Sequence, residues 1–203
     1  ADIDEFEYRL ADLDGDVWLS CTAPLKHAPQ DRLGVTGPEG VNAINQLKRT
    51  RGEWTGTSTD GLGFVAACRH IGIEPDGSVL RMRGGGSAAR AIAAAWADAG
   101  GLLIPEQGSR ALVRGPWDGA VVADGRADLG IDLDAAPAGG QSTPLDAEMQ
   151  VSISYGYRAG TDEFAVIMVA AQHLEAWKAI FAPERAADLP SLSLVLDGLA
   201  ESA

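Results

Sequence analysis

Cysteine is scarce in this chain of 203 residues: Cys21 and Cys68 are the only two, and neither lies in a CxxC pair or a Cys/His cluster. Disulfide frameworks and structural zinc sites need several such residues at short spacings. The sequence therefore argues against both and indicates no metal site. A reducing, cytoplasmic setting is the expectation.

Positive charge is also in short supply, with 16 Lys and Arg against 29 Asp and Glu and a net charge of −13. Phosphate backbones and anionic lipid headgroups repel so acidic a chain. No apolar run approaches the ~20 residues that span a bilayer, and the opening ADIDEFEYRL is acidic where a signal peptide is basic. Neither nucleic acid nor a membrane is expected as a partner.

Glycine, by contrast, is plentiful, with 25 residues, and turn-forming segments mark where the chain divides. The segment Glu74–Gly77 favours a turn and predicts a domain boundary. We expect a first domain over residues 1–76, onto which 173–203 packs back. Residues 77–172 are expected to form a second domain.

Apolar runs bounded by glycine and proline alternate with alanine-rich, helix-forming stretches along most of the chain. This alternation predicts an α/β fold with a parallel sheet. A flexible glycine-rich loop is predicted at 138–142. The expected strands are residues 17–23, 78–83, 102–104, 119–123 and 129–133, and the expected helices are 60–71, 87–97, 163–181 and 191–200.

A glycine turn joins strand 78–83 to helix 87–97 and fits the pattern G-x-G-x-x-A. In dinucleotide-binding folds the first glycine permits a tight turn, the second lets the backbone approach a pyrophosphate, and the last small residue lets helix and strand pack closely. The helix N-terminus supplies free N–H groups and a positive dipole end. The alternative is a turn before an alanine helix with no ligand. The predicted cofactor-binding residues of this turn are Gly84, Gly85, Gly86, Ser87 and Ala88.

Glu106 is the candidate for recognising the adenosine ribose, since it follows the second predicted strand of the parallel sheet and lies 22 positions beyond Gly84. Dinucleotide folds place an acidic residue about 20 residues on, where it binds the ribose hydroxyls. A carboxylate there repels a 2′-phosphate, which favours NAD over NADP. The alternative is a solvated glutamate in a loop. Arg81 and Arg83, within the preceding strand, are unusual for a buried parallel sheet.

Six short motifs follow one another in the order and approximate spacing of a known family. Together they resemble the shikimate dehydrogenase family over residues 17–181. The segments, each with the family pattern that it resembles, are SCTAPLK at 20–26 (N-V-T-V-P-F-K), NAINQL at 42–47 (G-A-V-N-T-L), GTSTDGLGF at 56–64 (G-D-N-T-D-G-x-G-F), GGGSAAR at 84–90 (G-A-G-G-A-A-R), STPL at 142–145 (T-P-L) and MVAAQ at 168–172 (M-L-V-x-Q).

The resemblance implies a two-domain oxidoreductase of aromatic amino acid biosynthesis, with an abbreviated substrate domain, a Rossmann-like nucleotide domain, and NADP or NAD as cofactor. The implied reaction transfers a hydride between the cofactor and the hydroxyl or keto group of shikimate, quinate or a related cyclic hydroxy acid. The family's catalytic pair corresponds to Lys26 and Asp60, and its substrate contacts to Thr22, Asn45 and Gln172. From the residue types alone, Lys26 and Asp60 would be surface charges.

The chain also departs from the family pattern. None of the sixteen residues before Val17 supplies the family's S-x-S loop, which grips the substrate carboxylate, and Pro105-Glu106-Gln107 does not match its N-R-T motif. Residues 105–117 are too few for the usual helix between the second and third sheet strands. These differences leave open a non-catalytic ligand-binding or regulatory protein on a degenerate scaffold. A homodimer in which another chain supplies the missing strand is a further expectation.

Overall fold

The computed structural model describes residues 3–135, 143–154, 160–161 and 163–201, so the predicted loop at 138–142 lies outside the described residues. The helices are α1 (Ile3–Ala11), α2 (Ala28–Leu33), α3 (Asp60–His70), α4 (Ser87–Asp98), α5 (Phe164–Ala176) and α6 (Leu192–Glu201). The strands are β1 (Val17–Ser20), β2 (Gln46–Thr50), β3 (Glu53–Thr57), β4 (Val79–Arg83), β5 (Leu102–Glu106), β6 (Leu129–Asp132) and β7 (Met149–Val151). Shorter turns of helix are of the 3₁₀ type at Leu25–His27, Asp118–Ala120 and Pro183–Asp188, and of the π type at Trp177–Phe181.

The first sheet is antiparallel, with its strands in the order β1-β2-β3. The two-residue turn Arg51-Gly52 joins β2 to β3, and both residues have positive φ. This geometry matches the twist of a tight hairpin. Ile44 and Leu47 are fully buried and form a small core with apolar residues of α1 and α2. The sequence analysis predicted β1 but neither strand of this hairpin.

The second sheet is parallel, in the order β5-β4-β6-β7, and α3, α4 and α5 surround the larger core that it helps to form. Its strands carry apolar residues that are buried between the helices, together with charged residues such as Arg81, Arg83 and Asp132. Leu80, Leu103 and Ile131 are fully buried, as are Phe64 of α3 and Trp96 of α4. The predicted α/β class with a Rossmann-like parallel sheet is confirmed.

The predicted strand at 119–123 is wrong. A 3₁₀ turn at Asp118–Ala120 overlaps the start of this segment, and Val121 makes a single bridge to β5. The cause is local, because the Asp118 carboxylate accepts the backbone N–H of Gly115 (2.9 Å) and closes a tight turn. The fourth strand of the parallel sheet is instead β7, which the sequence analysis did not predict.

The C-terminal part of the chain contacts both sheets. The π turn Trp177–Phe181 lies against the first sheet, where Lys48 of β2 donates to the carbonyl oxygens of Ile180 (3.2 Å) and Phe181 (3.0 Å). Leu196 of α6 instead joins the core around the parallel sheet. The division into two domains at the predicted boundary stays a prediction.

One described helical stretch, Phe164–Phe181, has 18 residues and is apolar enough to suit a membrane span by length and composition. Core helices of water-soluble proteins pass the same test, so this is weak evidence. In this fold α5 packs along α3, and its Ile167 and Met168 are buried in the larger core. The expected absence of a membrane partner stays a prediction.

Candidate active site

Lys26 and Asp60 form a largely buried ion pair. Lys26 Nζ lies 2.5 Å from Asp60 Oδ2, and the two side chains are 16% and 5% exposed. Lys26 sits in the 3₁₀ turn Leu25–His27, and Asp60 is the first residue of α3. The helix dipole stabilises a carboxylate in this first turn. The fold therefore brings together two charges that are 34 residues apart in the chain.

Asn45 holds the second oxygen of the Asp60 carboxylate. Its Nδ2 donates to Asp60 Oδ1 (2.9 Å), and its Oδ1 accepts the backbone N–H of Thr59 (2.7 Å). The backbone of Asn45 is itself fixed between Thr57 and Cys21 by hydrogen bonds of 3.1 and 2.8 Å. Asn45, Thr59 and Asp60 are at most 3% exposed. Their polar groups satisfy one another, as buried polar groups must.

The two remaining predicted substrate residues flank this network. Thr22 is exposed, and its carbonyl oxygen accepts a backbone N–H (2.7 Å) of the turn that carries Lys26. Gln172 is half-buried on α5 and packs against Gly63, one helical turn beyond Asp60. A Cβ placed on Gly63 would lie 2.8 Å from the Gln172 backbone nitrogen, so the two helices touch directly. Substrate binding by Thr22 and Gln172 stays a prediction.

His27 connects the turn that carries Lys26 to α4. Its Nε2 lies 3.2 Å from Ser87 Oγ, at the start of α4. Because His27 directly follows Lys26, this contact places the candidate proton-transfer group next to the helix N-terminus that the glycine turn leads into. The residue next to Lys26 therefore contacts the first turn of α4.

Arg90 makes a second connection, one turn into α4. Its guanidinium donates to the carbonyl oxygens of Val41 (2.7 Å), Asn42 (3.3 Å) and Gly85 (3.1 Å). Burial lowers the pKa of Arg90, and the neighbouring positive charge of Arg110 lowers it further. The residue ties the glycine turn to the segment that leads into Asn45.

The glycine turn fits a phosphate at the side where it enters α4. Gly84 has a left-handed φ of 107°, and Gly86 is the N-cap of α4, with no side-chain hydrogen bond to the helix end. The first N–H groups of a helix have no intrahelical partner. A Cβ placed on Gly86 would meet no atom within 4 Å, so this side of the turn is open. Gly86, Ser87 and Ala88 can therefore hold a phosphate group.

Glu106 lies at the end of β5, but both of its carboxylate oxygens are already bound. Arg81 donates to Oε1 and Arg83 to Oε2, each at 3.1 Å. This pairing explains the two arginines within a parallel sheet, because buried charged side chains are found paired. The segment that follows Glu106 covers Gly85, because a Cβ placed on Gly85 would overlap the backbone of Ala111. Binding of the ribose by Glu106 stays a prediction.

In sequence, the chain is similar to shikimate dehydrogenases. It is 38% identical over 96 residues to the shikimate dehydrogenase (NADP(+)) of Xanthomonas campestris pv. campestris (strain B100), covering 43% of this chain and 32% of the relative. It is 39% identical over 85 residues to the shikimate dehydrogenase (NADP(+)) of Bacillus cereus (strain 03BB102), covering 40% and 31%. The chain thus spans about a third of the length of the curated relatives it matches. No protein-family model matches the chain.

Solved structures are similar in fold. The shikimate 5-dehydrogenase of Thermus thermophilus in complex with shikimate matches with a TM-score of 0.71 and 24% identity, over 95% of this chain and 81% of that one. The same enzyme in complex with NADP(H) and shikimate matches with a TM-score of 0.65 and 24% identity, over 87% and 75%. The predicted resemblance to the shikimate dehydrogenase family is confirmed.

Two residues of this candidate site were not predicted from the sequence. Thr59, which binds Asn45, lies in the same T-D-G motif as Asp60. Arg90 ends the motif GGGSAAR and binds the backbone carbonyl oxygens of Val41 and Asn42. Their place within the motifs was the available signal, but a motif alone does not show which atoms its residues contact.

Proposed function

We propose that the chain acts as a shikimate dehydrogenase-like oxidoreductase. It transfers a hydride between a nicotinamide cofactor and the hydroxyl or keto group of shikimate, quinate or a related cyclic hydroxy acid. The observation that carries the proposal is the buried 2.5 Å contact of Lys26 Nζ with Asp60 Oδ2, close to the N-terminus of α4. The likeness to solved enzymes bound to shikimate and NADP(H) supports it.

Lys26 is the group that exchanges a proton with the substrate oxygen. Oxidation of a secondary alcohol needs a base that takes the hydroxyl proton, and reduction of the ketone needs an acid that returns it. Asp60 holds the ammonium through Oδ2, while Asn45 fixes Oδ1. The carboxylate is thus held at both oxygens and keeps Nζ in one place. When bound, the nicotinamide cofactor supplies the hydride acceptor or donor.

Asn45 acts in this proposal first as a positioning residue. Its amide oxygen accepts the N–H of Thr59, and its amide nitrogen donates to Asp60 (2.9 Å) and lies 3.3 Å from Thr59 Oγ1. Both ends of the amide are therefore engaged within the protein. Thr22 and Gln172, whose side chains are partly or wholly exposed, are the groups that reach the substrate hydroxyls.

The phosphates of the cofactor bind at Gly86–Ala88 in this proposal. The acidic residues around Arg81 and Arg83 outnumber these two arginines. The resulting negative charge at the end of β5 would repel a 2′-phosphate, which favours NAD over NADP. The carboxylates paired with Arg81 and Arg83 are those of Glu106, Asp124 and Asp132. The relatives are named for NADP(+), so both cofactors belong in the test.

Reduced-nicotinamide absorbance, followed with NAD and with NADP against shikimate, quinate and related cyclic hydroxy acids, tests the proposal. Turnover with at least one combination is expected. Calorimetric binding of these compounds without turnover would instead support a ligand-binding protein on this scaffold. Silence of the whole panel in both assays, at high protein concentration, would contradict the proposal.

A further inference from the structure

Residues 107–117, here named the strap, run from the end of β5 across the glycine turn. The far end is fixed, because Trp117 is 1% exposed and belongs to the larger core, against which Leu112 also packs. Ser109, Arg110 and Ala111, before Leu112, are exposed. This first part of the strap buries few apolar contacts and can open without disturbing the core.

The strap lies directly on the turn at Gly85. A Cβ placed on Gly85 would overlap the backbone carbonyl of Ala111, so any side chain larger than glycine would push the strap away. In the pattern G-x-G-x-x-A this middle position is variable, because nucleotide binding does not require glycine there. The close approach of the strap therefore accounts for the glycine.

One carboxylate holds the strap in this position. Asp134 accepts the backbone N–H of Ser109 through Oδ2 and the Ser109 hydroxyl through Oδ1, the latter at 3.0 Å. The same Oδ1 would lie 3.0 Å from a Cβ on Gly84, so the carboxylate also sits against the turn. Hydrogen bonds to an ionised carboxylate are stronger than those between neutral groups. We call this contact the Ser109–Asp134 latch.

We propose that the strap covers the adenosine side of the nucleotide site, so that a full dinucleotide binds only when the latch opens. The inference rests on the proposed function. In such folds the adenosine ribose lies at the end of the second strand, which is where the strap begins after Glu106. The strap does not cover Gly86, where the nicotinamide mononucleotide half would meet the start of α4. The apparent dinucleotide affinity is then the affinity of the open form multiplied by the fraction of molecules whose strap is open.

Two uncharged substitutions test the inference by different routes. Ser109→Ala removes the hydroxyl from the latch, and Gly85→Ala places a methyl group where the strap lies. Calorimetric titration of the full chain with NADH, NADPH and reduced nicotinamide mononucleotide is the measurement. We expect dinucleotide affinity to rise about three- to tenfold in both variants, the scale of one latch hydrogen bond. Affinity for the mononucleotide should stay within about twofold, since its site is already open.

Matched controls separate the strap from general effects of the substitutions. Gly198→Ala adds a methyl group in open space on α6, and Ser78→Ala removes a hydroxyl at the opposite end of β4. Both should leave dinucleotide affinity unchanged. If circular dichroism shows that Gly85→Ala fails to fold, Ser109→Ala decides alone.

The outcomes also separate this inference from the proposed function. Unchanged dinucleotide affinity in folded variants, or an equal gain for the mononucleotide, would overturn the role of the strap while leaving the oxidoreductase proposal in place. Failure of all three nucleotides to bind to the wild type and to every variant would contradict both.

Discussion

At the scale of single residues, the Asp60 carboxylate is held at both oxygens, by Lys26 Nζ and by Asn45 Nδ2. The T-D-G motif and its resemblance to shikimate dehydrogenases predicted Asp60 and Lys26 as a pair. Nothing in the spacing of the chain predicted that Asn45 would hold one carboxylate oxygen while Lys26 holds the other. That arrangement depends on how β2 and α3 meet in space. The motifs therefore predicted this pair of residues, and the fold shows which contacts support the pair.

Replacement of Asn45 tests that support. Asn45→Ala leaves the Thr59 N–H and one oxygen of Asp60 without partners in a buried site, which costs about 1–3 kcal/mol of unfolding free energy. Urea unfolding measures the loss. Thr55→Ala, on the exposed part of β3, is the control and should change stability by less than about 0.5 kcal/mol. Equal effects of the two substitutions would show that the Asn45 network contributes nothing specific.

The two cysteines give a prediction about pH. Burial raises the pKa of Cys21 to about 11, against an opposing effect of Lys26, and raises that of Cys68 to about 12. Both thiols stay protonated at neutral pH, and only the thiolate is nucleophilic. Iodoacetamide labelling of the native protein should be slow at pH 8 and should keep rising between pH 9 and 11.

Labelling of the unfolded chain in urea is the control. Both cysteines should react rapidly there, and the labelling rate should level off once the pH exceeds the ordinary thiol pKa. Rapid labelling of Cys21 in the native protein at pH 8 would instead mean that the end of β1, next to the turn that carries Lys26, opens to solvent. The mass of each labelled peptide distinguishes the two sites.

At the scale of elements, two glycines of α3 let the neighbouring helices α4 and α5 touch it. Gly61 faces the backbone of Ala91 on α4, and Gly63 faces the backbone of Gln172 on α5. The sequence analysis predicted all three helices from their turn signals and apolar content. It missed the β2–β3 hairpin because short strands with mixed polarity carry no clear alternation. Gly61 and Gly63 are needed because of contacts between helices, and a single sequence does not show those contacts.

Gly63→Ala tests this packing. The added methyl group would press on the backbone of Gln172, and overpacking of this kind typically costs about 1–3 kcal/mol. Gly198→Ala, where a Cβ meets no atom within 4 Å, is the matched control on α6. It should stabilise the protein by about 0.5–1 kcal/mol, because alanine favours helix over glycine. Thermal unfolding of both variants should therefore move in opposite directions, and a shared direction would contradict the packing described for α3 and α5.

At the scale of the whole molecule, the α/β class and the parallel sheet could be predicted from the alternation of apolar and helix-forming segments. The path of the strap at 107–117 could not be predicted, since the sequence indicates only that the usual helix does not fit there. The strap passes over Gly85 and ends at the tight turn of Gly115 and Asp118, which also replaced the predicted third strand of the parallel sheet. The connection from β5 to β6 was thus hard to predict, because the strap contacts Gly85 and Asp134, which lie far from it in the chain.

The central claim is that Lys26, held by Asp60, moves the proton in a nicotinamide-dependent reaction. Steady-state kinetics of Lys26→Ala, combined with calorimetric cofactor binding, test it most directly. The control is Lys178→Ala, which removes an exposed lysine paired with Glu175. We predict that kcat falls about 10²–10⁴-fold for Lys26→Ala while cofactor affinity and the control stay unchanged. An unchanged kcat, or a loss that follows weakened cofactor binding, would contradict the claim.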